Sequence, residues 1–320
     1  MPNISLIVPV YNEEKNLPLL IDSIQDTFNS LPYTWEVVLV DDGSEDGSLQ
    51  VLTQLAEKSP EHLRVVSFRR NFGQTAAIAA GLDYASGEII VLLDADMQND
   101  PADIPMLLEK LNEGYDLVSG WRKRRQDPYL TRTLPSNLAN MLISRVTGVP
   151  LHDYGCTLKA YRREVLAGFR LYGEMHRFIP VFANSVGAKI TEVQVNHQPR
   201  KFGKTKYGLE RTIKVILDLF TVRFLVSYAS KPIYLFGGAG LVLMSGSGVM
   251  LLYLFVRRVL EQISVLGSPL FQVAIVLLIM GFQSLLMGLI AELLVRTYYE
   301  SQRKPTYSIR KTINVPEANP

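Results

Sequence analysis

Ile89-Ile90-Val91-Leu92-Leu93-Asp94-Ala95-Asp96-Met97-Gln98 decides how the chain is read. The first five residues are uniformly apolar, as in a strand buried on both faces, so the acidic residues fall where that strand runs out into a loop. If the backbone stays extended past Leu93, then Asp94, Asp96 and Gln98 share one face, because side chains alternate with a period of two. Two carboxylates and an amide oxygen on one face make a hard-cation site, suited to Mg2+ or Mn2+ carrying a phosphate. An acidic turn after a strand is the plain alternative, and the surrounding sequence has to decide between them.

Working outward, apolar runs at 4–10, 35–40 and 63–68 read as strands like 89–93. Helical spacing occupies 13–28, 49–57 and 74–84 between them. A further helix is expected up to about residue 112, then a strand at 116–119. Strands interleaved with helices of this length predict an α/β fold, a mostly parallel sheet with helices on both faces. In such sheets ligands bind beyond the carboxyl ends of the strands. Glu13 follows the first strand, Asp41 and Asp42 the second, Asp94 and Asp96 the fourth. These acidic residues are therefore expected at one edge, where gathered like charges cost energy unless a cation or donors offset them. Neither G-x-G-x-x-G after the first strand nor G-x-x-x-x-G-K-[ST] occurs, so a dinucleotide fold and a P-loop are unsupported. Asn71-Phe72-Gly73-Gln74 reads as a cap and tight turn ahead of an Ala-rich helix.

Cationic character appears further on. Arg122 to Arg125 form a run, Arg132 and Ser136 lie four apart on an expected helix, and 197–207 is a basic, Gly-containing loop with Arg200 and Lys206. Such a loop suits phosphate oxygens. The net charge of the 320 residues is only +2, which gives no global field for nucleic acid. The single cysteine, Cys156, allows no intrachain disulfide and fits a reducing compartment. The N-terminus passes directly into a strand pattern with no basic leader. His152, His176 and His197 are read as structural rather than metal ligands.

The apolar excess lies at the other end. Residues 209–228 alternate charged and apolar side chains as an amphipathic helix expected to lie on a bilayer. Two uncharged runs follow, 232–256 and 269–291, of about 25 and 23 residues, each long enough to span. A short linker makes them a hairpin, and Gly237, Gly238, Gly240, Gly246 and Gly248 would allow close helix approach. Flanking cations at Lys231, Arg296, Arg303, Lys304, Arg310 and Lys311 outnumber Arg257 and Arg258 in the linker, which puts both termini in the cytoplasm. The expected organisation is a cytosolic catalytic domain at 1–208, an interfacial helix at 209–230, a transmembrane hairpin at 231–297 and a cytosolic tail at 298–320.

With these residues in hand, the chain resembles the family 2 glycosyltransferases of the GT-A fold, in particular the polyprenyl-phosphate sugar transferases. The likeness rests on Val8-Pro9-Val10-Tyr11-Asn12-Glu13-Glu14, Val40-Asp41-Asp42-Gly43-Ser44, Arg70-Asn71-Phe72-Gly73-Gln74, Asp94-Ala95-Asp96-Met97-Gln98 and Arg200-x-x-Gly203-x-Thr205-Lys206-Tyr207, and reaches from residue 4 to about 300. Around 153–161 it is nearest to the bacterial aminoarabinose-type transferases. Thr205 stands where many members carry Ser, and Asn99-Asp100-Pro101 replaces the commoner Asp-Pro-Pro or Asn-Pro-Pro.

The resemblance implies an inverting transfer of a sugar from a nucleotide diphosphate, UDP in preference to GDP, onto a polyprenyl phosphate. It implies that Pro9, Tyr11, Glu13, Asp42, Gly73 and Ala95 line the donor pocket, with Asp94 on the nucleoside side. Asp96 and Gln98 would hold Mg2+ or Mn2+ on the diphosphate. Arg122, Arg132, Ser136, Arg200 and Lys206 would grip the phosphates of donor and acceptor, and Asp153 would orient or act as base. Lys123 to Arg125 would be a solvated or lipid-facing patch. Glycine-rich spans and relatives that assemble imply a homo-oligomer. A processive polysaccharide synthase is the competing enzyme, but its Gln-x-x-Arg-Trp run is missing and two spans are few for a polymer channel. A catalytically silent scaffold would not need Asp94, Asp96, Gln98 and Arg200 together.

Overall fold

The computed structural model describes residues 2–123, 134–166, 171, 175–199, 233–262, 264–301 and 309–314. The chain forms two compact units, one from Met1–Val222 and Pro305–Pro320, the other from Arg223–Lys304. In the first, the described strands are β1 (Ile4–Val10), β2 (Trp35–Asp41), β3 (Leu63–Phe68), β4 (Ile89–Leu92), β5 (Leu117–Trp121), β6 (Lys159–Arg162), β7 (Ile190–Gln194) and β8 (Ile309–Ile313). They make one sheet in the order β7-β5-β6-β4-β1-β2-β3-β8. The block β4-β1-β2-β3 is parallel, as expected, with Ile4 opposite Trp35 and Ile89. β6 runs antiparallel between β4 and β5, and β8 antiparallel against β3.

Helices α1 (Leu17–Asn29), α2 (Ser48–Lys58), α3 (Gln74–Tyr84), α4 (Ile104–Asn112), α5 (Leu134–Thr147) and α6 (Ile179–Ser185) complete this unit. α1 begins at Leu17, one turn later than its apolar spacing suggests, because Pro18 fits only the first turn. Its Leu17, Leu20, Ile21, Ile24 and Phe28 are buried against β1, β2 and α4, each worth about 2 kcal/mol by area. Below the sheet, Glu36 is buried and accepts from Ser5 and Ser86 while pairing with Arg64 at 2.7 Å. The expected tail is thus partly a strand. β8 covers the edge of β3, and Asn314 just beyond it donates to the carbonyls of Ala56 and Leu63 at 2.9 and 3.1 Å. Its centre, Arg310-Lys311-Thr312, is polar, as an edge strand's often is.

The second unit pairs α7 (Ile233–Glu261) with α8 (Pro269–Ser301). Phe236–Glu261 and Pro269–Ala291 are long and apolar enough to cross a membrane. Gly237, Gly240, Ser247 and Leu254 bury one stripe of α7, and Ala274, Gly281 and Gly288 one stripe of α8. The Ser247 hydroxyl donates to the Ala274 carbonyl at 2.7 Å and that of Ser284 to Phe236 at 2.8 Å, so the helices run antiparallel. A Cβ on Gly240 would stand 2.6 Å from the Gly281 carbonyl oxygen, whereas one on Gly238, Gly246 or Gly248 would meet nothing within 4 Å. Only part of the glycine cluster serves the seam. Leu241, Val242, Leu252, Phe255, Val276 and Phe282 face outward and are exposed, an apolar surface that suits lipid rather than water. The amphipathic stretch 209–230 lies outside the described residues.

Candidate active site

β4 stops at Leu92, and the backbone beyond it is not extended. Met97 takes a left-handed φ of 60° and the Gln98 N–H folds back onto Asp96 Oδ1 at 3.1 Å. The expectation that Asp94, Asp96 and Gln98 align by strand alternation is therefore corrected: a side-chain-capped turn aims them instead, because an aspartate two residues back competes with the ladder for the amide. Asp96 is buried, with Ala95 and Met97, while Asp94 and Gln98 are half-buried. Gln74, from the first turn of α3, donates to Asp94 Oδ1 at 2.8 Å, and Thr157 hydrogen-bonds the same carboxylate. Burial, and then the charge of Asp96, push Asp94 up to about 6. A carboxylate whose proton affinity is raised by burial and by a second carboxylate beside it fits a divalent cation. Among the described residues no group of three or more His, Cys, Asp or Glu is placed to hold a metal. An ion here would take one or two protein carboxylates and fill its shell from water and phosphate, as Mg2+ does.

The adjacent wall is built from the ends of β1 and β2. The Asp42 N–H donates to the Val10 carbonyl at 2.8 Å. Its carboxylate accepts the main-chain N–H of Phe72 at 2.6 Å and of Gly73 at 2.9 Å. Burial pushes Asp42 up to about 6 against those two donors. Both oxygens of Asp42 are thus engaged in holding the 72–73 turn, a wall-building role the sequence does not reveal. Asp41 is likewise satisfied, by Ser67 Oγ and the Ser44 N–H. Gly43 has φ +67°, and a Cβ there would lie 2.4 Å from the Arg70 carbonyl carbon, so only glycine lets these two loops meet. Pro9, Tyr11 and Glu13 are half-buried at the same edge. Glu13 Oε2 accepts from Asn16 at 2.6 Å, and Asn12, itself at φ 55°, accepts from the Glu45 N–H at 2.8 Å.

The third side comes from the end of β5. Arg122 donates through Nε to Asp153 Oδ2 at 2.8 Å and through Nη2 to Oδ1 at 3.1 Å. Burial opposes the guanidinium charge, but Asp153, Cys156 and Asp94 together outweigh it and hold Arg122 above its ordinary value. Asp153 is 2% exposed and also accepts the Gly155 N–H, which makes it an orienter of Arg122. Behind it lies Lys159, whose buried ammonium donates to the carbonyls of Tyr154 and Cys156 and so shapes the 153–157 loop. Burial lowers its proton affinity. On the outer flank Lys123 sits 5.2 Å from the Trp121 ring, which stacks on His152. His176 pairs with Thr75 at 2.7 Å. Ser136 lies half-buried on α5. Arg124, Arg125, Arg132, Arg200 and Lys206 lie outside the described residues.

Residues 5–169 match the family described as Glycosyl transferase family 2, a segment that contains every wall just described. The chain belongs to glycosyl transferase family 2. Over 311 residues it is 42% identical to the dodecaprenyl-phosphate galacturonate synthase of Rhizobium johnstonii, covering 96% of this chain and 92% of that protein. It is 37% identical over 311 residues to the undecaprenyl-phosphate 4-deoxy-4-formamido-L-arabinose transferase of Yersinia enterocolitica, covering 97% and 93%. Among solved structures it is similar to glucosyl-3-phosphoglycerate synthase from Mycobacterium tuberculosis in complex with Mn2+, UDP and phosphoglyceric acid. That match has a TM-score of 0.53 and 23% identity over 69% of this chain and 78% of that one. The same enzyme with Mg2+ and UDP gives 0.53 and 22% over 69% and 79%. At that identity the likeness concerns the fold alone, a mostly parallel α/β sheet with helices on its faces.

In this glycosyltransferase the motif residues within the described range do gather at one sheet edge: Pro9, Tyr11, Glu13, Asp42, Gly73, Asp94, Ala95, Asp96, Arg122 and Asp153. Sequence reasoning passed over Gln74, Thr157 and Lys159. Gln74 lies within the 70–74 motif, and Thr157 and Lys159 within the 153–161 stretch. Lys159, a cation inside an apolar strand, is the signal that was there to be used.

Proposed function

We propose that this family 2 glycosyltransferase is membrane-bound and transfers a sugar from a nucleotide diphosphate to the phosphate of a polyprenyl phosphate, inverting the anomeric centre. The observation that carries the reading is the juxtaposition of the Asp94–Asp96 pair with the Arg122–Asp153 pair at the carboxyl edge of the sheet. The full-length similarity to polyprenyl-phosphate sugar transferases supports the acceptor class. The two apolar helices support attachment to the lipid phase in which such an acceptor resides. β8 belongs to the same sheet as β1, which supports an even number of crossings with both flanks of the hairpin on one side, and the excess of flanking Lys and Arg supports the cytoplasmic side.

Each group then has a task. Tyr11, Glu13 and the 72–73 turn held by Asp42 enclose the nucleoside. Asp96 and Gln98 would hold Mg2+ or Mn2+, which supplies positive charge to the diphosphate. Asp94, braced by Gln74 and Thr157, closes the pocket behind them. Arg122, held by Asp153, offsets the charge brought together when a phosphate approaches a diphosphate. A phosphate monoester has a second pKa near 6 and is largely a dianion at neutral pH, so it attacks without a strong base. Asp153 is accordingly an orienter. UDP is the expected nucleotide. Arg132, Ser136, Arg200 and Lys206 are expected on the phosphates, and a homo-oligomer is expected in the membrane.

The test is transfer of labelled sugar from UDP- and GDP-sugars to undecaprenyl phosphate in detergent, with EDTA and Mn2+ add-back. Full activity of Asp96→Ala, or activity indifferent to EDTA, would refute the ion assignment. Transfer to water or to a growing glycan in preference to the lipid phosphate would refute the acceptor.

A further inference from the structure

Beyond the metal loop the chain makes a 3-10 turn, Pro101–Asp103, and Asp103 closes it at the start of α4. Asp103 is 8% exposed. Its carboxylate takes two hydrogen bonds from one distant residue: the Asn196 N–H reaches Oδ2 at 2.6 Å and the Asn196 side-chain amide reaches Oδ1 at 2.9 Å. Asn196 lies two residues past the end of β7, and the contacts continue along the chain from there. Asn99 and His197 form an isolated antiparallel bridge. The Gln198 N–H donates to the Gln98 carbonyl at 2.9 Å, and its side-chain amide to Asp100 Oδ2 at 3.1 Å. Residues 196–198 therefore lie as a short antiparallel partner along 98–103.

This lacing bears on the ion loop. Gln98 is fixed on both sides of its main chain, its N–H by Asp96 Oδ1 and its carbonyl by Gln198. Met97 between the two candidate ligands sits at φ 60°, a conformation a β-unbranched residue keeps only when neighbours over-determine it. Desolvation works against a buried carboxylate at Asp103, and an apolar residue could close the same turn at less cost. What the carboxylate adds is a rigid two-point hold on Asn196, and through 197–198 on Gln98.

We propose that Asp103 and Asn196 are positioning residues for the divalent ion, clasping the loop so that Asp96 and Gln98 keep the spacing the ion requires. The inference rests on the assignment of Asp96 and Gln98 as its ligands. Partners behind the ligands of a metal typically change its affinity 10- to 100-fold when removed.

The experiment measures Mn2+ binding to the full-length protein in detergent, by the electron paramagnetic resonance signal of free Mn2+, with UDP present. Melting temperature and metal-free UDP affinity are followed in parallel. Asp96→Asn tests the parent assignment and is expected to abolish specific Mn2+ binding. Asp103→Asn is expected to weaken Mn2+ about 10-fold while metal-free UDP affinity stays as in the wild type. The exchanged pair, Asp103→Asn with Asn196→Asp, still sets one amide against one carboxylate and is expected to recover most of that loss. If Asp103→Asn does not fold, Asn196→Ala, which removes one of the two bonds, carries the same measurement. Wild-type Mn2+ affinity in the folded single variant, with Asp96→Asn defective, overturns the clasp and leaves the ligands standing. Wild-type affinity in Asp96→Asn overturns both. A lowered melting temperature with unchanged Mn2+ affinity reduces the pair to a structural contact and also overturns the proposal.

Discussion

Replacing Asp153 by alanine isolates the pair on which the reaction side of the pocket depends. Arg122 is 15% exposed and Asp153 2%, and two near-parallel hydrogen bonds of 2.8 and 3.1 Å join them. Removing one partner of such a pair costs about 3–5 kcal/mol, because the other is left buried and uncompensated. Asp94 stands near enough to Arg122 to offset part of this, so the lower end, about 3 kcal/mol, is expected. For a unit of this size that lowers the melting temperature by about 6–12 °C. The freed guanidinium turns towards Asp94, and a charge-assisted hydrogen bond to substrate phosphate worth about 1.5–3 kcal/mol is lost. Transfer should slow by about 10- to 150-fold. Thermal melting and initial rates of sugar transfer measure the two effects. Combining Arg122→Met with Asp153→Leu removes both charges and should cost less than the sum of the single changes. Additive costs, or an Asp153→Ala protein that melts within about 1 °C of wild type, would refute the description of a buried, orienting pair.

Three further outcomes follow from the same geometry. Gly43→Ala puts a Cβ 2.4 Å from the Arg70 backbone at φ +67°, and strain plus overpacking should cost about 2–4 kcal/mol and weaken UDP binding; a variant that melts and binds UDP like wild type would exclude the close approach. Asp42 has a folded-state value of about 6 against 3.8 unfolded, so the native state holds the extra proton and stability falls as pH rises through about 4–6, by up to about 3 kcal/mol, then levels. Asp42→Asn should show a shallower fall over that window in melting experiments without nucleotide, and an equal slope would count against the assignment. Gly281→Val drives a side chain to 2.6 Å from Met244 and 2.8 Å from the Gly240 carbonyl and should splay α7 from α8, detected as protease sensitivity in detergent; Gly238→Val, whose Cβ meets nothing, is the matched control, and equal sensitivity of the two would refute the seam.

What could be read from sequence, and what could not, divides along physical lines. β1 to β4 were legible because strands buried on both faces are continuous apolar runs, and parallel packing then obliges their carboxyl ends to meet at one edge. The direction of β6 was not, since its link from β5 passes through α5 and carries no hairpin signal. β8 hides its pattern behind Arg310 and Lys311, the charges that suit it to an edge. At the site, the acidic edge read as a single demand for a cation, yet the structure sorts those charges by which oxygens the backbone already occupies. Asp41 is met by Ser44 and Ser67, and Asp42 by Phe72 and Gly73, so neither calls for an ion. Asp94 differs in standing beside a second carboxylate, Asp96, whose charge adds to burial in raising its proton affinity, and it is there that a cation is proposed. The turn that aims them arises from Met97 at a positive φ and from bonds to residues about a hundred positions away in sequence. Residue spacing carries no information about such contacts, because they exist only once the chain has folded.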